Sequence, residues 1–152
     1  MDLLHAVRAA ALSAMAAAME AELSAISPSQ APADLARAGL RAIGTGYLRY
    51  ARMEPGLFRT AFAVPVHPGN TPQVDKAGSS GLNPFQLLGA ALDRMVDAGI
   101  MPPGRRPGAE YLAWSAVHGL AMLVIEGPLH AMDLQRVDSL VPRLLDMVEH
   151  GL

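Results

Sequence analysis

The sequence predicts an all-α protein, and three observations support this prediction. Hydrophobic residues make up 51% of the chain and aromatic residues only 5%, so Ala, Leu, Val and Met must fill most of the core. A core of this composition is compatible with helices. Apolar residues recur at helical spacing in six segments, and proline and glycine separate these segments. With 152 residues, the chain has the length of one domain with one core.

The six predicted helices cover residues 2–25, 34–53, 55–62, 84–99, 109–126 and 133–150. In the first helix one face carries apolar residues, with Met15 and Met19 beside it: Leu4, Val7, Ala11, Ala14 and Ala18. Pro55 and Pro84 suit the first turn of a helix, and Gly99 suits a helix end. The second helix contains three glycines, at positions 39, 44 and 46, and each costs about 1 kcal/mol relative to alanine. We therefore expect close packing or a kink there.

Residues 65–84 read PVHPGNTPQVDKAGSSGLNP, which predicts a flexible loop. A connection of this length inside a compact domain is uncommon and is usually a lid, a binding loop or a disordered segment. The segments before and after this loop are each too short to form a stable domain alone. We therefore predict a single domain over residues 1–152.

The last two predicted helices favour self-association. In the final helix, residues spaced by three and four form an apolar stripe, at Leu134, Val137, Val141, Leu144 and Val148. The helix before it is apolar nearly all round, so part of it needs a cover. A homodimeric four-helix bundle would provide this cover. The pattern leaves open that the last helix packs on its own core, and Pro142 predicts a kink or a split in it.

Charge and composition exclude several classes of function. Twelve basic and fourteen acidic residues give a net charge of −2, so no basic face is expected to bind nucleic acid. Cysteine is absent, which removes disulfides and thiolate sites and agrees with a cytoplasmic protein. Arg8, Glu20 and Glu22 interrupt the Ala-rich start, which is therefore interpreted as a helix and not a signal peptide. The apolar run Leu112–Ile125 is too short to span a membrane, which takes about 20 residues.

The sequence predicts no enzyme, no cofactor and no metal site. Ser79 and Ser80 in GSSG do not form a nucleophile elbow, and the Gly44–Gly46 segment lies in a helix instead of following a strand. The five histidines show no metal-ligand spacing with one another or with nearby carboxylates. The sequence leaves open whether some of these histidines come together in space.

His118 lies in the middle of the apolar stretch WSAVHGLAMLVIEG, one turn from Trp114. Two interpretations are open. The two rings could form a buried pair whose polar atoms bond the core, which is the commoner case for a buried histidine. Alternatively, both rings could line a pocket for an apolar molecule. Candidate lining residues share aromatic, apolar or hydroxyl side chains: Thr45, Tyr47, Phe58, Phe62, Phe85, Leu88, Tyr111, Trp114 and His118.

Two segments resemble the carboxy-terminal domain of TetR-family transcriptional regulators. These are LRAIGTGYLRYARMEPGLFRTAF (residues 40–62), with Tyr47, Pro55 and Phe58, and WSAVHGLAMLVIEG, with the Trp, His-Gly signature at Trp114, His118 and Gly119. The resemblance covers nearly the whole chain, and MDLLHAVRAAA looks like the helix that links the DNA-binding head to this domain. The family's amino-terminal helix-turn-helix head is missing from these residues.

The resemblance implies a sensor domain that binds a small hydrophobic effector and forms a homodimer. Effector binding would change the separation of the two linking helices, so that the DNA-binding heads no longer match successive half-sites. DNA would then be bound only through the missing head, and the domain would belong to a cytoplasmic repressor that contacts no membrane. The alternative is a small helical enzyme or a hydrophobic-ligand carrier that uses the same cavity.

Overall fold

The computed structural model describes residues 3–63 and 77–152, and these residues form six α-helices. The helices are α1 (Leu3–Ser24), α2 (Pro32–Met53), α3 (Pro55–Phe62), α4 (Pro84–Asp97), α5 (Ala109–Ile125) and α6 (Leu134–Gly151). A short 3₁₀ turn, Pro103–Arg105, lies between α4 and α5 and was not predicted. No strand occurs within the described ranges, so the predicted all-α fold is confirmed.

The helix boundaries follow local sequence rules. Proline occupies the first turn of α2, α3 and α4, where its missing N–H costs nothing. Asn83 and Gln86 form a reciprocal capping box at the start of α4, with bonds of 2.9 and 3.0 Å. Gly99, just past α4, and Gly108, just before α5, have positive φ angles that favour glycine. These local signals explain why the predicted helices were placed within about two residues of the observed ones.

Helix α2 lies at the centre of the fold and contacts the other five helices. Its buried residues include Leu40, Ile43, Tyr47 and Leu48, which pack with Met15 of α1 and with apolar residues of α4, α5 and α6. Because α2 is buried on several sides, side chains from distant parts of the sequence meet on it. The candidate functional site is built on this helix.

Two of the three glycines in α2 allow close packing, as expected. A Cβ on Gly46 would lie 2.6 Å from the Met19 Cα, so at this position α1 approaches the backbone of α2. A Cβ on Gly44 would collide with the Leu145 side chain of α6. Gly39 has only one neighbour, a Leu23 methyl at 4.0 Å, so contacts do not explain it.

Helix α1 packs as a core helix, although its buried face differs from the predicted one. Met15 and Met19 are buried, whereas Leu4 and Ala14 of the predicted face are exposed. Arg8 is buried and donates from Nε to the Ala61 carbonyl of α3 at 2.9 Å. By length and composition α1 is the one helix within the described ranges that could span a membrane, but its apolar face packs on α2 and α3.

Part of the predicted loop over residues 65–84 lies outside the described residues. Within the described part, residues 77–83 form a turn that is held against α1. Ser13 donates to the Ala77 carbonyl at 2.7 Å, and one Glu20 carboxylate oxygen accepts from the Ser79 hydroxyl at 2.6 Å and the Ser80 N–H at 3.0 Å. The GSSG motif therefore has a structural role as an anchor of this turn.

Helix α6 runs through Pro142 without being split into two helices. Ion pairs join its carboxyl-terminal half to α2: the Glu149 carboxylate lies 3.0 Å from Arg37 Nε and 2.6 Å from Arg41 Nε, and Arg41 also pairs with Asp146 at 2.8 Å. The Glu149 side chain is only 3% exposed, and two guanidinium groups compensate its buried charge. These pairs and the Gly44 contact fix α6 on α2.

Candidate functional site

An aromatic cluster lies where α2, α3 and α5 meet. The Tyr47 ring contacts Phe58 edge-on at a centroid distance of 5.3 Å, and the Phe62 ring lies 5.1 Å from Phe58. Phe62 is also 5.8 Å from Trp114 and 4.9 Å from His118. These distances are typical of favourable ring contacts. Five of the predicted pocket residues are thus brought together from three helices; below, the aromatic cluster means Tyr47, Phe58, Phe62, Trp114 and His118.

The Tyr47 hydroxyl joins the polar atoms of this cluster. It accepts a hydrogen bond from Trp114 Nε1 at 3.0 Å and lies 2.6 Å from His118 Nδ1. Tyr47 is 3% exposed, so burial raises the pKa of its hydroxyl and keeps it protonated. Burial lowers the pKa of the partly exposed His118 imidazole, which favours its neutral form.

The geometry of His118 agrees in part with a structural role and in part with a pocket-lining role. Its Nδ1 atom is bonded to another helix, as a structural histidine would be. Its Nε2 atom has no hydrogen bond to any residue in the described ranges, and the ring is only partly buried. The centroid of the imidazole lies 5.5 Å from that of Phe58 and 4.9 Å from that of Phe62, so the ring as a whole packs against two phenylalanines.

The other predicted pocket residues lie at different distances from the aromatic cluster. Phe85 of α4 extends it, with its ring 6.0 Å from Trp114 and 5.8 Å from the exposed Tyr111. Leu88 is buried in the main core. Thr45 precedes Tyr47 by two residues and therefore points to a different side of α2, since residues two apart do not share a helix face.

A family comparison covers most of this fold. Residues 40–148 match the model of the tetracycline repressor-like C-terminal domain. This range holds α3, α4, α5, the part of α2 from Leu40 onwards and most of α6. The chain belongs to the tetracycline repressor-like C-terminal domain family. The TetR resemblance inferred from the Trp, His-Gly signature is thereby confirmed. No curated protein and no solved structure gives a significant match to the chain.

The predicted dimer residues of this TetR-like domain divide into two groups. Val137 and Val148 are buried within the protomer, and Val141 and Leu144 pack against its core. Leu134 alone among the five is exposed. For much of its length the stripe on α6 therefore packs on the protomer's own core. This is the alternative to a dimer interface that the sequence pattern left open.

Other apolar residues of α5 and α6 are exposed instead. Leu112 is 64% exposed and Met147 is 60% exposed, and Leu123 is also on the surface. Met147 also lines an open groove of about 730 Å³, together with Arg41, Leu120, Leu140, Pro142, Arg143, Leu144 and Asp146. Gly119 lies on the exposed side of α5, where a Cβ would meet nothing within 4 Å.

Two charged features of the site's surroundings were not predicted from the sequence. Arg8 was noted only as an interruption of the Ala-rich start, yet it is 7% exposed and its Nη2 atom has no hydrogen-bond partner in the described part of the chain. Asp146, Glu149 and His150 bring three possible ligand atoms within 4.8 Å of one another. Their i, i+3, i+4 spacing was visible in the sequence, but Arg37 and Arg41 already pair with the two carboxylates.

Proposed function

We propose that this chain is the effector-sensing and dimerisation domain of a TetR-like transcriptional regulator. The observation that carries the proposal is the aromatic cluster, in which a partly exposed histidine ring packs against two phenylalanine rings and keeps one nitrogen that no described residue bonds. Ligand sites are mostly apolar with a few placed polar groups, and the cluster has this character. Membership of the tetracycline repressor-like family supports a regulatory domain of this general kind.

The proposed effector is a small, mainly apolar molecule that contacts Phe62, Trp114 and His118. Phe62 is partly buried and touches four other rings of the cluster, so a ligand that displaces it also reaches Tyr47 and Phe58. Phe62 is the last residue of α3, and Ala61 beside it accepts the hydrogen bond from Arg8 of α1. Movement of the cluster would therefore be transmitted to α1, the helix that resembles the family's linking helix.

Effector binding is tested with the unmodified chain and a panel of aromatic and acyl-chain compounds. Trp114 is the sole tryptophan, so its emission reports on the cluster alone. A ligand present at 100 times its dissociation constant should stabilise the fold by about 2.7 kcal/mol and raise the melting temperature. We expect Phe62→Leu to weaken this binding, whereas the control Leu57→Ala, on the exposed side of α3, should leave it unchanged. A panel that changes neither the melting temperature nor the emission would contradict the proposal.

We further propose that two copies associate through the exposed apolar side of α5 and α6. Leu112, Gly119 and Leu123 are separated by seven and four residues and thus lie on one side of α5. Glycine at the middle of this stripe allows close approach of a partner helix, and no part of the protomer approaches it. Met147 and the groove beside it extend the apolar surface onto α6. A stable interface needs roughly 800 Å² per partner, which two such helices can supply.

Single charged substitutions distinguish this interface from the protomer's core. Leu123→Glu and Met147→Glu change exposed residues, so the protomer should fold while the dimer dissociates, because the new carboxylate would be buried in the interface. Met53→Glu makes the same change at an exposed residue of α2 and should leave the dimer intact. Sedimentation and circular dichroism measure the two properties. A folded monomer for the unmodified chain at micromolar concentration would disprove the interface.

In this proposal, DNA contact depends on an amino-terminal helix-turn-helix head outside these 152 residues, and the regulator is a cytoplasmic repressor. The near-neutral charge of the chain, a net −2, supports this division of roles, because phosphate binding requires a basic surface. The alternative of a small helical enzyme or a hydrophobic-ligand carrier uses the same cluster. No specific observation on the described residues favours it over a regulatory domain.

A further inference from the structure

The hydrogen atoms around the Tyr47 hydroxyl can be assigned from chemistry. An indole N–H only donates, so Trp114 Nε1 gives its hydrogen to the Tyr47 oxygen at 3.0 Å. The phenol has one hydrogen of its own, and among the described residues its only other partner is His118 Nδ1 at 2.6 Å. If Nδ1 carried a hydrogen and donated it instead, the phenol hydrogen would be buried without an acceptor, which is costly. The Tyr47 hydroxyl therefore donates to His118 Nδ1.

This assignment fixes the tautomer of the histidine. A neutral imidazole that accepts at Nδ1 carries its hydrogen on Nε2. No residue in the described parts of the chain bonds this Nε2 atom. Trp114 and Tyr47 have used their hydrogens within the cluster, so the Nε2–H group is the one donor that the aromatic cluster has left to offer.

We propose that the site selects effectors that carry a hydrogen-bond acceptor, such as an aromatic ketone, and that the His118 Nε2–H group donates to this acceptor. Tyr47 and Trp114 are positioning residues: they hold His118 in the donor tautomer and need not touch the acceptor. A ligand group that can only donate gains nothing at Nε2, because two donors face each other there. The inference rests on the proposed effector-binding function and adds the chemical class of the effector.

The tautomer is tested first, without any ligand. Long-range ¹H–¹⁵N spectra at pH 7.5 distinguish the two tautomers, and loss of one ring system in His118→Phe assigns His118 among the five histidines. We expect the Nε2–H tautomer in the unmodified protein and a mixture of tautomers in Tyr47→Phe. A His118 that carries its hydrogen on Nδ1, or on both nitrogens, overturns the proposal.

Ligand selection is tested with two pairs of probes of nearly equal shape, using titration calorimetry and the shift in melting temperature. Acetophenone has a carbonyl where α-methylstyrene has a methylene group, and indole has an N–H where indene has a methylene group. We expect acetophenone to bind about tenfold more tightly than α-methylstyrene, which corresponds to about 1.4 kcal/mol. Indole and indene should bind equally.

Variants of His118 connect this selectivity to the Nε2–H group. His118→Phe should bind acetophenone and α-methylstyrene equally, and His118→Gln, whose amide nitrogen can donate from a similar position, should restore part of the difference. Circular dichroism and melting curves confirm that both variants fold. Equal binding of all four probes by the unmodified chain overturns the acceptor rule while effector binding stands. Binding of none of them overturns the rule for aromatic carbonyls, and the compound panel above then decides the effector function separately.

Discussion

Tyr47 and Tyr50 lie one turn apart on α2, and both rings are buried, with 3% and 6% of their surfaces exposed. Their hydroxyl groups differ. The Tyr47 hydroxyl has two partners, Trp114 and His118. The Tyr50 hydroxyl is shielded from solvent and has no hydrogen-bond partner among residues 3–63 and 77–152. Burial raises the pKa of both hydroxyls, so both are protonated. The two tyrosines therefore have the same charge and similarly buried rings, and they differ in the hydrogen bonds of their hydroxyl groups.

The comparison separates two reasons for placing tyrosine in a helical core. At position 50 the ring contributes apolar burial, and the hydroxyl adds a desolvation cost. At position 47 the hydroxyl orients two side chains of another helix and leaves one histidine nitrogen for other use. We infer that the surroundings of Tyr47 depend on the hydrogen bonds of its hydroxyl group, whereas the surroundings of Tyr50 depend only on the apolar contacts of its ring.

The largest effect is expected for Tyr47→Phe. This change removes the partner of the Trp114 N–H and of His118 Nδ1 and leaves both polar atoms without a partner inside the cluster. The free energy of unfolding should fall by about 1–3 kcal/mol, as measured by urea denaturation. An unchanged stability would show that the two hydrogen bonds contribute nothing to folding and would remove the distinction between the two tyrosines.

A smaller effect of opposite sign is expected for Tyr50→Phe. The phenylalanine ring keeps the apolar contacts, and the change removes a buried hydroxyl that has no partner. Stability should stay constant or rise by up to about 1 kcal/mol in the same measurement. A loss as large as that for Tyr47→Phe would mean that the Tyr50 hydroxyl has a partner in solution.

The smallest effect concerns pH and sharpens the role of His118. Because burial lowers the pKa of His118 below its ordinary 6.5, the unfolded chain binds this proton more readily than the folded protein. Stability contributed by this residue is therefore constant above pH 6.5 and falls as the pH drops toward the folded-state pKa. The unmodified protein should lose more stability between pH 7.5 and 5.5 than His118→Phe, a comparison in which the other four histidines cancel. A larger loss in the variant would contradict this sign.

The sequence predicted the helices well because their signals are local. Prolines at first turns, the Asn83 cap and Gly99 act within a few residues of the boundary that they set. The buried face of α1 was predicted less well. An Ala-rich helix has several faces of similar hydrophobicity, so the periodicity placed Met15 and Met19 only beside the predicted face and could not show that both are fully buried.

The site was predictable only in part for a different reason. Trp114 and His118 share a face by their spacing of four residues, and this was visible in the sequence. The hydrogen bonds to Tyr47 join residues separated by 67 and 71 positions, and no local rule indicates them. Likewise, the stripe on α6 could not reveal that Val137 and Val148 face the protomer's own core.

The backbones of α1 and α2 come close together at Gly46 and Met19, so a tilt of α1 about this contact would displace its two ends by different amounts. At this crossing no side chain separates the two helices, so translation of α1 toward α2 is blocked. Leu3 lies sixteen residues from Met19, or about 24 Å along the helix axis at about 1.5 Å per residue. A tilt of about 5° around this contact would displace Leu3 by about 2 Å. Ser24 is only about 8 Å from the contact on the other side, so the same tilt would move it by less than about 1 Å. A tilt about this contact would therefore displace the amino-terminal end of α1 more than its carboxy-terminal end.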